Sequence, residues 1–158
     1  MRVKDILEVK GNALYTVTPD MPLVEAARLM DEHDIGSLVV MEHGEIAGML
    51  TFREIIQVLA ENGGSLGEGS VRATMNSAPV TCTCETDINE VRRLMLEKRH
   101  ARYLPVLDSN RLMGVVSLYD VAKAVLEEQG FENRLLKAYI RDWPEKDREE
   151  DAASTPSA

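Results

Sequence analysis

Apolar residues Leu23, Ala26, Ala27 and Met30 recur at helical spacing, with Glu25, Arg28, Asp31 and Glu32 opposite them, which predicts an amphipathic helix opening after Pro22. Residues 37–41 form a nearly continuous apolar run of strand length, and His43-Gly44 turns it into a second strand over 46–50. Thr51 opens a helix carrying Ile55, Ile56 and Leu59, which Asn62-Gly63-Gly64-Ser65 ends. Upstream, 3–10 is a short amphipathic opening with Ile6, Leu7 and Val9 apolar, and 14–17 reads as a brief strand stopped by Thr18-Pro19-Asp20-Met21-Pro22. The second half predicts a strand over 80–84, a helix over 88–98, strands over 103–107 and 112–116 joined by Asp108-Ser109-Asn110, and a helix over 117–128. Each half reads β-α-β-β-α, a mixed α/β (α+β) fold.

The halves are copies. Gly114-Val115-Val116-Ser117-Leu118-Tyr119-Asp120 repeats the pattern of Gly48-Met49-Leu50-Thr51-Phe52-Arg53-Glu54 at an offset of 66 residues, and Tyr103 to Leu107 lies over Ser37 to Met41 at the same offset. Further upstream the offset is 65, which puts one extra residue of the second copy near 99–101. Internal similarity at a fixed long period means that one supersecondary unit is used twice. The expected organisation is repeat 1 over 1–61, a glycine- and serine-rich linker over 62–70, and repeat 2 over 71–129. Beyond Gly130, Phe131, Leu135, Leu136, Tyr139 and Ile140 predict an additional amphipathic helix over 130–142, followed by a disordered acidic and polar tail over 143–158.

At 158 residues the chain can bury a core without disulfides or metals. Its formal charge is −9, but six acids against Lys146 and Arg148 between 142 and 151 carry nearly half of it. The repeats are therefore close enough to neutral for a local phosphate site, and no basic stripe supports a nucleic-acid surface. Cys82 and Cys84 stand one residue apart, too close for an ordinary disulfide and without the second pair of a zinc site, so they read as strand residues in a reducing compartment. No apolar run is long enough to cross a bilayer and the first residues lack a signal-peptide core, so a cytoplasmic protein is expected. His33, His43 and His100 share no ligand spacing and read as solvent-facing, while the methionines at apolar positions read as core filler.

The duplicated motif carries the candidate chemistry. Thr51-x-x-Glu54 has the form of a capping box, a hydroxyl accepting from the third helical N–H and a carboxylate reaching back. Asp120 is shorter and less suited to that reach, and it follows Ser117 at a helix start. Such a start offers free N–H donors and a positive dipole end to a phosphate, and a carboxylate beside it can accept ribose hydroxyls. Arg53 and Arg102 suit phosphate charge, Pro105 marks a strand edge or a backbone facing a ligand, and Gly48 and Gly114 permit turns. No nucleophile stands beside a base, so no enzyme is expected.

The duplicated unit, Leu104-Pro105-Val106 and the Gly-x-x-Ser-x-x-Asp ending together resemble a tandem of CBS domains, the cystathionine-beta-synthase-type modules, over about residues 3 to 128. The resemblance is to small bacterial proteins made of little besides one such pair. It implies two repeats around pseudo-twofold symmetry, often dimerising into a disc, with clefts for AMP, ADP, ATP, NAD or S-adenosylmethionine. Carried over, one cleft would use Ser117 and Asp120 with Gly36, Ser37 and the segment from Asn12 to Tyr15. The other would use Thr51, Arg53 and Glu54 with Arg102, Tyr103 and the segment from Ala78 to Val80, Glu54 standing where the family usually has aspartate. The resemblance thus implies a regulatory homodimer with no required cofactor, an adenosine-containing ligand and an effector protein as partner. The alternative it leaves is a dimerisation scaffold whose clefts bind nothing.

Overall fold

The structure is a computed structural model and describes residues 1–11 and 14–140. Met1–Val121 form one body, described first; from Ala122 the chain belongs to a second unit. In the first body the order is α1 Val3–Lys10, β1 Thr16–Val17, α2 Leu23–His33, β2 Ser37–Glu42, β3 Glu45–Thr51, α3 Phe52–Glu61, α4 Val71–Thr74, α5 Ile88–Glu97, β4 Tyr103–Asp108 and β5 Arg111–Ser117, ending in the first residues of α6, Leu118–Ile140. The fold is mixed α/β.

The duplication is visible in the strand register. Ser37 pairs with Thr51 in β2 and β3, and Tyr103 pairs with Ser117 in β4 and β5, each hairpin antiparallel and each with a bulge after its fourth pair. In the first repeat β1 adds a parallel edge to β2, with Thr16 opposite Val39 and Val17 opposite Val40. The second repeat does not build the strand expected over 80–84, keeping only a parallel bridge between Cys82 and Val106. Proline explains the difference. In repeat 1 the Val39 N–H donates to the Tyr15 carbonyl at 3.3 Å. The matching position in repeat 2 is Pro105, which has no N–H to give, so that rung of the ladder is missing.

The repeats exchange their leading helices. Val3 and Lys4 of α1 donate to the carbonyls of Thr86 and Cys84, both at 3.0 Å, in the turn before α5. Reciprocally, Val71 and Arg72 of α4 donate to Met21 and Pro19, at 2.9 and 2.8 Å, in the turn before α2. The core of the first repeat, Val17, Leu23, Ala26, Met30, Leu38, Val40 and Leu50, thus closes on Val71. α4 is absent from the hydrophobic pattern because four residues are too few to show a period, and Ser70 starts it by accepting from the Ala73 N–H.

Gly48 and Gly114 are needed for this exchange rather than for turns. A Cβ on Gly48 would lie 2.5 Å from the Asn76 carbonyl oxygen just after α4, and one on Gly114 would lie 2.9 Å from Leu7 Cδ2 of α1. Neither has a positive φ.

In the second unit the expectation of a fresh helix beyond Gly130 is replaced by continuity, since α6 runs unbroken through Gly130 to Ile140. A glycine inside a helix costs about 1 kcal/mol relative to alanine, too little to stop a helix of 23 residues. The expected tail over 143–158 lies outside the described residues. No described helix is long and apolar enough to cross a membrane.

Candidate functional site: two unlike clefts

The hairpins bring the duplicated helix starts beside the entries of β2 and β4. At the first entry the Phe52 N–H donates to the Gly36 carbonyl at 3.1 Å, and at the second the Leu118 N–H donates to the Arg102 carbonyl at 2.7 Å. Two cavities open there. Tyr103 lines both.

The first cleft, about 320 Å³, is lined by Lys10, Leu14, Tyr15, Ile35, Gly36, Ser37, Tyr103, Val115 and Ser117. It therefore gathers Tyr15, Gly36 and Ser37 of repeat 1 with Ser117 of repeat 2; Asp120, placed here by the resemblance, is not on its wall, and Asn12 lies outside the described residues. Gly36 is small because Tyr103 leaves no room: a Cβ there would meet the Tyr103 hydroxyl at 2.0 Å. Tyr15 is steadied by its ring, stacked on His33 with centroids 4.2 Å apart. His33 is solvent-exposed, as its sequence setting suggested, but the stack was not legible in the pattern.

Asp120 behaves opposite to expectation. The capping box belongs to Ser117 and Asp120, where the Asp120 N–H donates to Ser117 Oγ at 3.1 Å and the Ser117 N–H donates to Asp120 Oδ2 at 2.9 Å. Glu54 makes no such box. Its buried carboxylate accepts instead from the Thr51 hydroxyl, and Thr51 does not cap the backbone of α3. The extra methylene carries the Glu54 carboxylate past the backbone N–H that the shorter aspartate reaches.

Sequence reasoning missed Lys10. Its Nζ donates to Asp120 Oδ2 at 2.7 Å and to the Val115 carbonyl at 2.9 Å, although 110 residues separate the ion pair. The Asp120 side chain is 14% exposed, so this is a half-shielded pair rather than a surface one. An ammonium has three donors and Lys10 uses two on these partners, while Asp120 Oδ1 has no protein partner among the described residues. One donor and one acceptor thus stand side by side at the helix start.

The second cleft, about 460 Å³, is lined by Thr51, Phe52, Arg53, Ile56, His100, Arg102 and Tyr103. Ala78, Val80 and Glu54, placed here by the resemblance, are not on its wall. His100, read as solvent-facing, is exposed and also lines this cleft, where the chain takes a left-handed turn at φ 63°. Desolvation lowers its pKa first, and the cations Arg53 and Arg99 lower it further. A bound anion would reverse the second effect. The His100 ring is accordingly expected to titrate below the ordinary histidine range and to move upward as sulfate is added, followed by NMR of its C–H resonances; an unmoved midpoint at saturating sulfate would separate it from any anion site.

A third hollow, lined by Thr81, Cys82, Thr83, Thr86, Glu90, Leu94, Leu107, Ser109 and Asn110, lies where the 80–84 strand is missing. Burial pushes the Cys82 thiol up to about 12, so it is an inert packing residue there. No group of three His, Cys, Asp or Glu side chains among the described residues could hold a metal ion.

Known proteins share this fold. The CBS domain model matches residues 3–61 and 69–127. The CBS domain-containing protein YhcV of Bacillus subtilis is 34% identical over 121 residues, covering 76% of this chain and 82% of its own. A CBS-domain protein of Agrobacterium tumefaciens superposes with a TM-score of 0.74 at 34% identity, over 78% of this chain and 98% of that one. The CBS domain pair of protein MJ0100, solved in complex with 5'-methylthioadenosine and S-adenosyl-L-methionine, gives 0.71 at 25% identity, over 81% and 98%. Two repeats in identical register, exchanged leading helices and a family match to both halves lead to one conclusion: the chain belongs to the CBS-domain family, as a tandem pair.

Proposed function

We propose that this protein is a regulatory module that binds an adenosine-containing ligand in the cleft beside Ser117 and Asp120. The carrying observation is the pairing of Lys10, on the cavity wall, with Asp120, which caps the wall residue Ser117 at the start of α6 and keeps one carboxylate oxygen without a protein partner among the described residues. A vicinal diol needs such a neighbouring acceptor and donor, and the N-terminal end of α6 favours an attached phosphate. The volume, about 320 Å³, falls in the range of roughly 300–1,000 Å³ occupied by small-molecule sites. The adenosine compounds bound by the MJ0100 pair support the same ligand class.

Regulation follows from what the ligand would join. Lys10 is the last residue of α1, which is hydrogen-bonded to the turn before α5, so occupancy links the exchanged helix to the start of α6. A ligand shifts an equilibrium only by its differential affinity for two states. We assign the effect to this linkage, acting on an effector protein from a homodimer in the cytoplasm.

Calorimetric titration with AMP, ATP, NAD and S-adenosylmethionine tests the reading. Saturable binding of at least one is expected; no heat from any of the four at millimolar concentration would overturn it and favour a scaffold with empty clefts.

A further inference from the structure

We propose that Tyr103 is a movable partition that sets the two clefts against each other. A ligand that takes the space over Gly36 in the first cleft drives the ring toward the second, and a ligand that fills the second holds the ring over Gly36. The functional reading enters only as the identity of the first cleft's ligand.

Among the described residues, Tyr103 alone is on both cavity walls. Its hydroxyl end rests over Gly36 of the first wall, where a Cβ would meet the hydroxyl at 2.0 Å and the ring carbon that bears it at 2.8 Å. Phe52 of the second wall would meet the same Cβ at 3.0 Å, so two ring edges converge on one glycine. Repeat 1 has no matching ring. The offset of 66 residues puts Ser37 over Tyr103, and a single aromatic side chain therefore serves both hollows.

What surrounds the ring is fixed. Tyr103 pairs with Ser117 across the hairpin, the Gly36 carbonyl accepts from the Phe52 N–H at 3.1 Å, and the Arg102 carbonyl accepts from the Leu118 N–H at 2.7 Å. The ring itself is half-buried and held by packing, since its hydroxyl makes no hydrogen bond among the described residues. Burial raises its pKa, and charge reaches it from both sides, Arg102 of the second cleft lowering the value and Asp120 beside the first raising it.

The backbone on either side cannot yield, but the two side-chain torsions of a tyrosine can. A rotation that widens one hollow narrows the other. Two ligands that bias one such element are coupled, and the coupling is reciprocal: each weakens the other by the same factor. Occupancy of the second cleft thus regulates the first through a shared wall, with no contact between the ligands.

The test uses the full chain and its three histidines as NMR reporters. His100 is on the second wall, His33 stacks on Tyr15 of the first, and His43, in the turn between β2 and β3, is on neither. Gly36→Ala needs no ligand. Gly36 has no positive φ, so alanine suits the backbone, and only the ends of Tyr103 and Phe52 stand in its way. The methyl is expected to push the Tyr103 ring toward the second cleft and so to shift the His100 C–H resonance while His43 stays in place. Added to Tyr103→Leu, which withdraws the ring, the same substitution should shift His100 no further. An unmoved His100 in Gly36→Ala, or an equal shift on the Tyr103→Leu background, overturns the proposal. AMP is the second probe. In wild type His100 should shift with the same midpoint as His33, whereas in Tyr103→Leu only His33 should respond. Saturation of His33 with His100 unmoved, or an equal His100 response in Tyr103→Leu, overturns it as well. If AMP, ATP, NAD and S-adenosylmethionine all leave His33 unmoved, the reading of the first cleft falls, and the partition stands or falls with Gly36→Ala.

Discussion

Replacing Asp120 by asparagine should weaken the adenosine ligand by tenfold or more while the protein stays folded. The amide keeps the shape of the side chain and an oxygen for the Ser117 N–H, which now stands at 2.9 Å, so the start of α6 survives. What is lost is the negative charge facing Lys10 Nζ at 2.7 Å, which the proposed reading also sets against the ligand. Hydrogen bonds to charged groups contribute about 1.5–3 kcal/mol, which corresponds to roughly 10- to 150-fold in affinity. Calorimetry gives the affinity, and circular dichroism with thermal melting shows whether the helix start is intact. An affinity within twofold of wild type, in a variant that melts normally, would remove Asp120 from the site. Asparagine is the informative choice because alanine would delete the cap and the charge together.

The second large effect concerns stability. Gly48→Ala should destabilise the protein by about 1–3 kcal/mol, the usual cost of overpacking a filled interior. The equivalent Gly114→Ala should cost clearly less. Both glycines sit where an exchanged helix crosses the hairpin, but their neighbours differ in compliance. The new methyl at 48 meets the Asn76 carbonyl oxygen at 2.5 Å, and that segment is pinned by Met49 N–H to Asn76 O at 2.9 Å and Asn76 N–H to Met49 O at 2.8 Å. Backbone held by two hydrogen bonds cannot step aside without breaking them. At 114 the methyl meets Leu7 Cδ2 at 2.9 Å, the far end of a flexible side chain. Urea unfolding of the two variants measures the difference; equal losses would mean that the crossings are equally rigid and that the pairing of Met49 with Asn76 is unimportant.

The elements that sequence reveals best are those with a long period or a repeated spacing. α2 and α5 carry stripes over 11 and 10 residues, and the 66-residue offset survives in space as the shared register of Ser37 with Thr51 and Tyr103 with Ser117. The composite nature of the first cleft was legible for the same reason, through the resemblance that placed Tyr15, Gly36 and Ser37 with Ser117. Lys10 was not, because nothing local marks a lysine at the end of one short helix as the partner of an acid 110 residues away. The exchange of α1 and α4 was hidden in the same way, since backbone hydrogen bonds such as Val71 to Met21 leave no side-chain signature. Pro105 gave a signal that holds, since β4 is an edge strand of a two-stranded sheet; what it did not reveal is that the neighbouring 80–84 segment would keep only a bridge. The roles of Asp120 and Glu54 were inverted because capping-box preference is a statistic for helix starts in general, whereas reach at a strand-to-helix corner is decided by one methylene.

Each repeat borrows the residue that seals it, Val71 closing the interior of the first half and Val3, wholly buried, lying against the turn of the second. Neither half is then a self-sufficient folding module. The duplicated gene segment and the cooperative structural unit have different boundaries, and a chain divided at the glycines between 62 and 70 would still hold together by handing its helices across the cut.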